Sequence, residues 1–136
     1  MEGFTVLTLD ANEVAVDHVR IEIPFSVVCP IPDQTYGGTV TVEYHPGLEK
    51  DSLGNRQVRL LEWDSFAEWV RGMRKQTLTA EGLTKLVTDA LHTRLRPRWL
   101  SVSARATSAF HLPVTVTCTR GDKEETYDRP RNPSWY

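Results

Sequence analysis

The chain has 136 residues, 40% hydrophobic and 25% charged, with a formal net charge of −2. That length suits one domain that buries about two-thirds of its unfolded surface around a single core. The near-neutral balance argues against a nucleic-acid grip made from a broad basic face, and no apolar run approaches the ~20 residues of a membrane span. The opening residues Met1 to Phe4 carry no basic region followed by a long apolar core, so the expectation is a soluble, cytoplasmic protein. Cys29 and Cys118 are expected as free thiols, because nothing marks the chain as secreted.

In chain order, residues 4–9 read as an opening strand closed by Asp10, Ala11 and Asn12. Residues 19–25 alternate apolar and polar, the period of a half-buried strand, and run into Phe25-Ser26-Val27-Val28-Cys29-Pro30-Ile31-Pro32. Proline fixes φ and lacks an amide donor, so Pro30 and Pro32 exclude helix and central strand and leave Cys29 at a rim. Residues 39–44 alternate again, so the two strands form a hairpin whose connection carries Cys29. Residues 45–55 are rich in turn formers and are expected as a mobile loop, followed by a short extended piece over 57–61.

Two helices follow. Ser65 and Glu68 have the form of a capping box ahead of Phe66, Trp69, Val70 and Met73. Thr79 is placed to cap a second helix whose stripe is Leu83, Leu86, Val87, Ala90 and Leu91, and which Arg96-Pro97 stops. Residues 99–104 and 114–118 read as strands, with Cys118 continuing the apolar face of Val114 and Val116 as a core residue. Residues 121–136 form a charged, proline-containing tail ending in Trp135-Tyr136. Strands, helices, then strands predict an α+β fold with both helices on one face of an antiparallel sheet, in a single domain over 1–120. The sheet edges of such a fold are templates for pairing, and lateral assembly into a ring removes them.

Cys29-Pro30 in an extended segment, the ββααββ order and Glu81 opening the second helix give the chain a resemblance to the QueF family of the tunnelling fold, over about residues 19–120. The family's cysteine attacks the nitrile of 7-cyano-7-deazaguanine, and Cys29 matches it. Gly72-Met73-Arg74 stands where the family has Ser-Phe-Arg, and Glu81 follows at the interval of the glutamate that binds the base; the family histidine just before it is Ala80 here. The reductases of the family hold NADPH through a motif that starts with glutamate and contains two lysines. Glu62 and Ser65 fit it, but Asp64 and Ala67 replace the lysines, and an aspartate repels a dinucleotide's phosphates. The pattern is similar to QueF-like proteins, which lack the reductase motif and form an amidine from the nitrile with ammonia.

The resemblance therefore implies an enzyme of the amidine-forming kind, with no metal and no redox cofactor, acting on 7-cyano-7-deazaguanine or a nucleic acid that carries it. The resemblance also implies a homo-oligomer with pockets between subunits. The implied substrate contacts are Glu81, which accepts from the ring N–H and the exocyclic amine together, with Glu62 and His111 completing the pocket. The family's proton-donating aspartate falls at Tyr36, and the nearest acid to the thiol is Asp33; Asp33 is favoured as the acid beside Cys29, with Tyr36 in its place or impaired catalysis as the alternatives. The residues alone leave blander roles open: Cys29 as a packed thiol, Glu81 as a complement to its helix dipole, Glu62 as a solvated acid and His111 as a surface histidine. A non-catalytic module that binds a deazapurine or assembles with partners is the alternative function, and an NADPH-dependent nitrile reductase is the least favoured.

Overall fold

The computed structural model describes residues 3–31, 34–108 and 111–121; Asp33, Phe110 and the tail with Trp135-Tyr136 lie outside the described residues. The elements are β1 (Val6–Asp10), β2 (Val19–Val28), β3 (Thr35–His45), β4 (Leu48–Lys50), β5 (Arg56–Leu61), α1 (Trp63–Arg71), a 3-10 turn (Gly72–Lys75), α2 (Ala80–Leu95), β6 (Trp99–Thr107) and β7 (Pro113–Gly121). An antiparallel sheet of order β2-β3-β6-β7 carries the helices, and a smaller sheet of order β1-β5-β4 stands beside it.

Alternation decides which side of the main sheet is dry. Ile23, Phe25 and Val27 of β2, Val40, Val42 and Tyr44 of β3, and Leu100, Val102 and Ala104 of β6 are buried in one core cluster. That core also holds Phe66 and Val70 of α1, Met73 of the 3-10 turn, and Leu83, Val87, Leu91 and Leu95 of α2. Each buried Val, Leu, Ile, Phe or Met among them contributes roughly 1.5–3 kcal/mol of burial. The opposite face is polar: Arg20 reaches Glu22 at 2.7 Å and Glu43 at 3.2 Å, and Ser103 meets Thr117 at 2.8 Å.

α2 follows the expected reading. The Thr79 hydroxyl accepts from the Gly82 amide at 2.9 Å, and the helix closes at Arg96, in the left-handed region at φ 49, just before Pro97. Inside it, the buried hydroxyls of Thr84 and Thr88 donate to the carbonyls of Ala80 and Thr84, so neither is left unsatisfied. α1 departs from expectation. It begins at Trp63, because Glu62 is the cap: its carboxylate accepts from the Asp64 amide at 2.8 Å and the Ser65 amide at 2.9 Å. Ser65 instead accepts from the Thr5 amide at 2.9 Å and ties α1 to the start of the chain.

Two further expectations are corrected. Residues 45–55 are ordered, because their turn formers close a β4–β5 hairpin in which the Asp51 carboxylate accepts from the Leu53 and Asn55 amides, each at 2.9 Å. At the start of this stretch His45 is fully buried, its Nε2 3.0 Å from His18 Nδ1 and its ring against Trp99. Cys118 does share the core-facing side of β7, opposite Val102, but it is only half-buried because β7 is an edge strand.

The centre of the sheet is packed backbone to backbone at Gly38. A Cβ there would lie 1.8 Å from the Arg105 carbonyl oxygen, and β3 is bonded on both sides, to β2 and β6, so it cannot step away. Gly38→Ala is expected to cost roughly 1–3 kcal/mol or more as overpacking, read as a lower midpoint in urea unfolding. An unchanged midpoint would refute this close approach.

Candidate active site

Antiparallel pairing puts the β2–β3 connection and the β6–β7 turn at the same end of the main sheet. At that end the Cys29 amide donates to the Gln34 carbonyl at 2.8 Å and closes the loop that Pro30 enters. Cys29 is the first residue past β2, half-buried and free of any disulfide.

The outer edge of β2 is met there by the segment that leads into α2. The Val28 amide donates to the Gln76 carbonyl at 2.9 Å, the Leu78 amide donates to the Val28 carbonyl at 2.9 Å, and Val28 and Thr77 form a parallel bridge. The start of α2 is thereby fastened to the residue next to Cys29. Glu81 stands in the first turn of that helix, exposed.

Tyr36 joins the two. It lies opposite Val27 near the start of β3, on the helix-facing side, with its ring edge-on to Phe25 at 6.2 Å. Its hydroxyl donates to the Leu78 carbonyl at 2.8 Å. Burial pushes the phenol above its ordinary value, and the negative charges that Cys29 and Glu81 can carry nearby push it further in the same direction. One electrostatic neighbourhood therefore contains Cys29, Tyr36 and Glu81. As placed, the Tyr36 proton is held by a backbone carbonyl, and handing it elsewhere requires that bond to break.

The remaining expected site residues are placed differently. His111 sits in the β6–β7 turn at φ 62, exposed, its amide donating to the Ser108 carbonyl at 2.9 Å. It is at the same end as Cys29, separated from the β2–β3 loop by the width of β3 and β6, about 10 Å at strand spacing. Glu62 is at the other end. It follows Leu61, whose amide donates to the Tyr44 hydroxyl at 2.9 Å, and Tyr44 pairs with Val19 where β2 begins, about 30 Å along the strand from Val28. Amide hydrogen bonds from Ser65 and then Asp64 hold the Glu62 carboxyl below the usual carboxylate range. The structure thus gives Glu62 a capping task within its own helix.

Sequence reasoning missed the role of Leu78 and Gln76, and no signal in the residues could have shown it. They act through backbone groups, which every residue type carries.

No family model matches the sequence, and neither does any curated protein. Among solved structures the chain is similar to the crystal structure of the archaeosine synthase QueF-Like in the apo form. That match has a TM-score of 0.64 and covers 79% of this chain and 96% of the other. The fold is QueF-like. At 20% identity, the likeness to QueF-Like concerns the fold: an α+β chain with two helices against antiparallel sheet, as the Cys29-Pro30 resemblance implied.

Replacing Tyr36 by Phe removes the bond to Leu78 and is expected to cost about 1 kcal/mol at neutral pH. The native phenol's pKa is raised, so the stability it contributes is full below about pH 10, the unfolded value, and is lost as pH rises toward the native one. The wild type's advantage over Tyr36→Phe in urea unfolding should therefore hold steady up to about pH 10 and shrink as pH rises above it. A pH-independent difference would show that the phenol is not held protonated by the fold.

Proposed function

We propose that this chain is a QueF-like enzyme that converts the nitrile of 7-cyano-7-deazaguanine, free or carried in a nucleic acid, to an amidine. The observation that carries the reading is the gathering of Cys29, Tyr36 and Glu81 at one end of the sheet by the Val28 bridge and the Tyr36–Leu78 bond. The fold shared with an archaeosine synthase supports the deazapurine substrate class.

In this mechanism the Cys29 thiolate adds to the nitrile carbon, one C–N π bond breaks, and the nitrogen takes a proton to leave a thioimide. Ammonia then adds to the same carbon and the sulfur departs, which restores Cys29 and gives the amidine. The sum is nitrile plus ammonia, with no oxidation or reduction and no cofactor. Asp33 or Tyr36 supplies the proton to nitrogen, worth roughly 10²–10⁴-fold in rate. Asp33 takes precedence, because the Tyr36 proton is already engaged by Leu78. Glu81 accepts the two adjacent donors of the guanine-like edge, and His111 closes the side toward β6 and β7. Glu62, at the far end of its own chain, reaches such a pocket only from another copy, which fits a homo-oligomer with pockets between subunits. The exposed carboxylate of Asp64 on α1 counts against NADPH, since it adds negative charge where the reductases have a lysine.

Incubation with 7-cyano-7-deazaguanine should add the mass of the base to the protein, and ammonium should discharge it as the amidine. Cys29→Ala should give neither adduct nor product, and Glu81→Gln should lower kcat/KM by on the order of 10²-fold or more. Amidine formation by Cys29→Ala would overturn the mechanism. Reversible binding without an adduct would favour the non-catalytic module instead.

A further inference from the structure

At the end of the main sheet where β2 begins, about 30 Å along the strand from Val28, lies a buried ionisable group that the proposed reaction does not use. His45 closes β3 and is fully buried, with its Nε2 3.0 Å from Nδ1 of His18, the residue before β2. The other nitrogen of His18, Nε2, faces the Glu43 carboxylate at 3.8 Å, and Arg20 reaches that carboxylate at 3.2 Å. Trp99 of β6 stands opposite His45 and packs on both imidazoles, with ring centroids 6.1 Å from His18 and 4.8 Å from His45. Arg98, just before β6, donates its amide to the His45 carbonyl at 2.9 Å and its Nε to the Pro46 carbonyl at 3.2 Å. Among the described residues, the charges brought to the pair are therefore Glu43 from β3, Arg20 and behind it Glu22 from β2, and Arg98 from the approach to β6. Asp17, next to His18 in the chain, is exposed, and β7 brings only Gly121 opposite Trp99.

We propose that His18 and His45 form an acid-opened clasp over the start of β2. Two facing imidazole nitrogens share one proton, one ring donating and the other accepting, and the bond holds whether the pair is neutral or carries a single charge. With both rings protonated, each facing nitrogen is a donor and no acceptor is left between them. Two positive charges would then face each other across 3.0 Å, one of them on a buried ring. Glu43 offsets the charge on His18 but meets only its far nitrogen. In the unfolded chain both imidazoles stand in water and take their protons below about pH 6.5. There the unfolded chain binds one proton more than the clasped one, so the clasp's stability is full above that pH and is lost as pH falls through it. His18 is the last residue of the β1–β2 connection, and its ring ties that connection to β3 and Trp99; from Val19 onward the ladder with β3 holds the chain. Acid therefore frees residues 11–18 first and leaves the Cys29 end of the sheet in place, which makes the clasp independent of the proposed reaction.

The test compares the wild type with His45→Gln, whose amide keeps a donor and an acceptor for His18 but takes up no proton. Urea unfolding of both is followed from about pH 7.5 to about pH 5.5, the range in which imidazoles titrate. Relative to the variant, the wild type's unfolding constant should be steady down to about pH 6.5 and then rise by about tenfold per pH unit until the clasp is open. Carboxylates and the other two histidines are common to both proteins and cancel in the comparison. Should the variant fail to fold, proton NMR of the wild type decides instead. The His18 and His45 ring protons should then move together on acidification, over the same pH range in which the amides of residues 11–18 exchange faster. Equal acid sensitivity in wild type and His45→Gln, or rings that titrate with no change in that exchange, would overturn the proposal.

Discussion

Val28 directs both of its backbone groups outward, to Gln76 and Leu78, and the geometry of the site follows from that. An edge strand normally leaves one row of amides and carbonyls unpaired. Here the last residue of β2 fills its row with the segment that precedes α2. The thiol at position 29 and the carboxylate at position 81 are thus separated by a few bonded backbone groups rather than by the fifty-odd residues of intervening chain. Without that bridge, α2 would still bury Leu83, Val87, Leu91 and Leu95 on the sheet, since an apolar stripe tolerates sliding. Its first turn would have no fixed position relative to Cys29.

Tyr36 strengthens the same junction from the other side, through the bond from its hydroxyl to the Leu78 carbonyl. A phenol that gives its proton to a main-chain carbonyl is a good strut and a poor acid. Cys29 and Glu81 nearby make ionisation of the phenol harder still, which suits a group that remains neutral while charge develops beside it.

Glutamates in this chain show how position decides function for one residue type. Glu62 has both oxygens occupied by the amides that open α1, and Glu49 is held by Arg59 and Arg96, which pins β4. Glu81, in the first turn of α2, makes no ion pair among the described residues and faces solvent at the end of the sheet where the thiol lies. A carboxylate without an internal partner is the one available to a ligand, although by composition the three are equivalent.

The alternation in β2, β3 and β6, the stripe of α2, its Thr79 cap and its stop at Arg96-Pro97 were all legible in the sequence, because period, capping and proline sterics act over a few residues. The Cys29-Pro30 rim was legible for the same reason. The turn formers of 45–55 misled: their chemistry specifies chain reversal, and reversal serves a tight hairpin as well as a loose loop. Ser65 and Glu68 misled as well, since the cap three residues earlier depends on where β5 delivers the chain. What the sequence determined by itself was therefore the set of elements and the inner face of each. Which residues meet was decided only by the tertiary structure, through the Val28 bridge, the Leu78 carbonyl and the separation of Glu62 from Cys29. Those contacts run through backbone groups and strand register, and no side chain announces them.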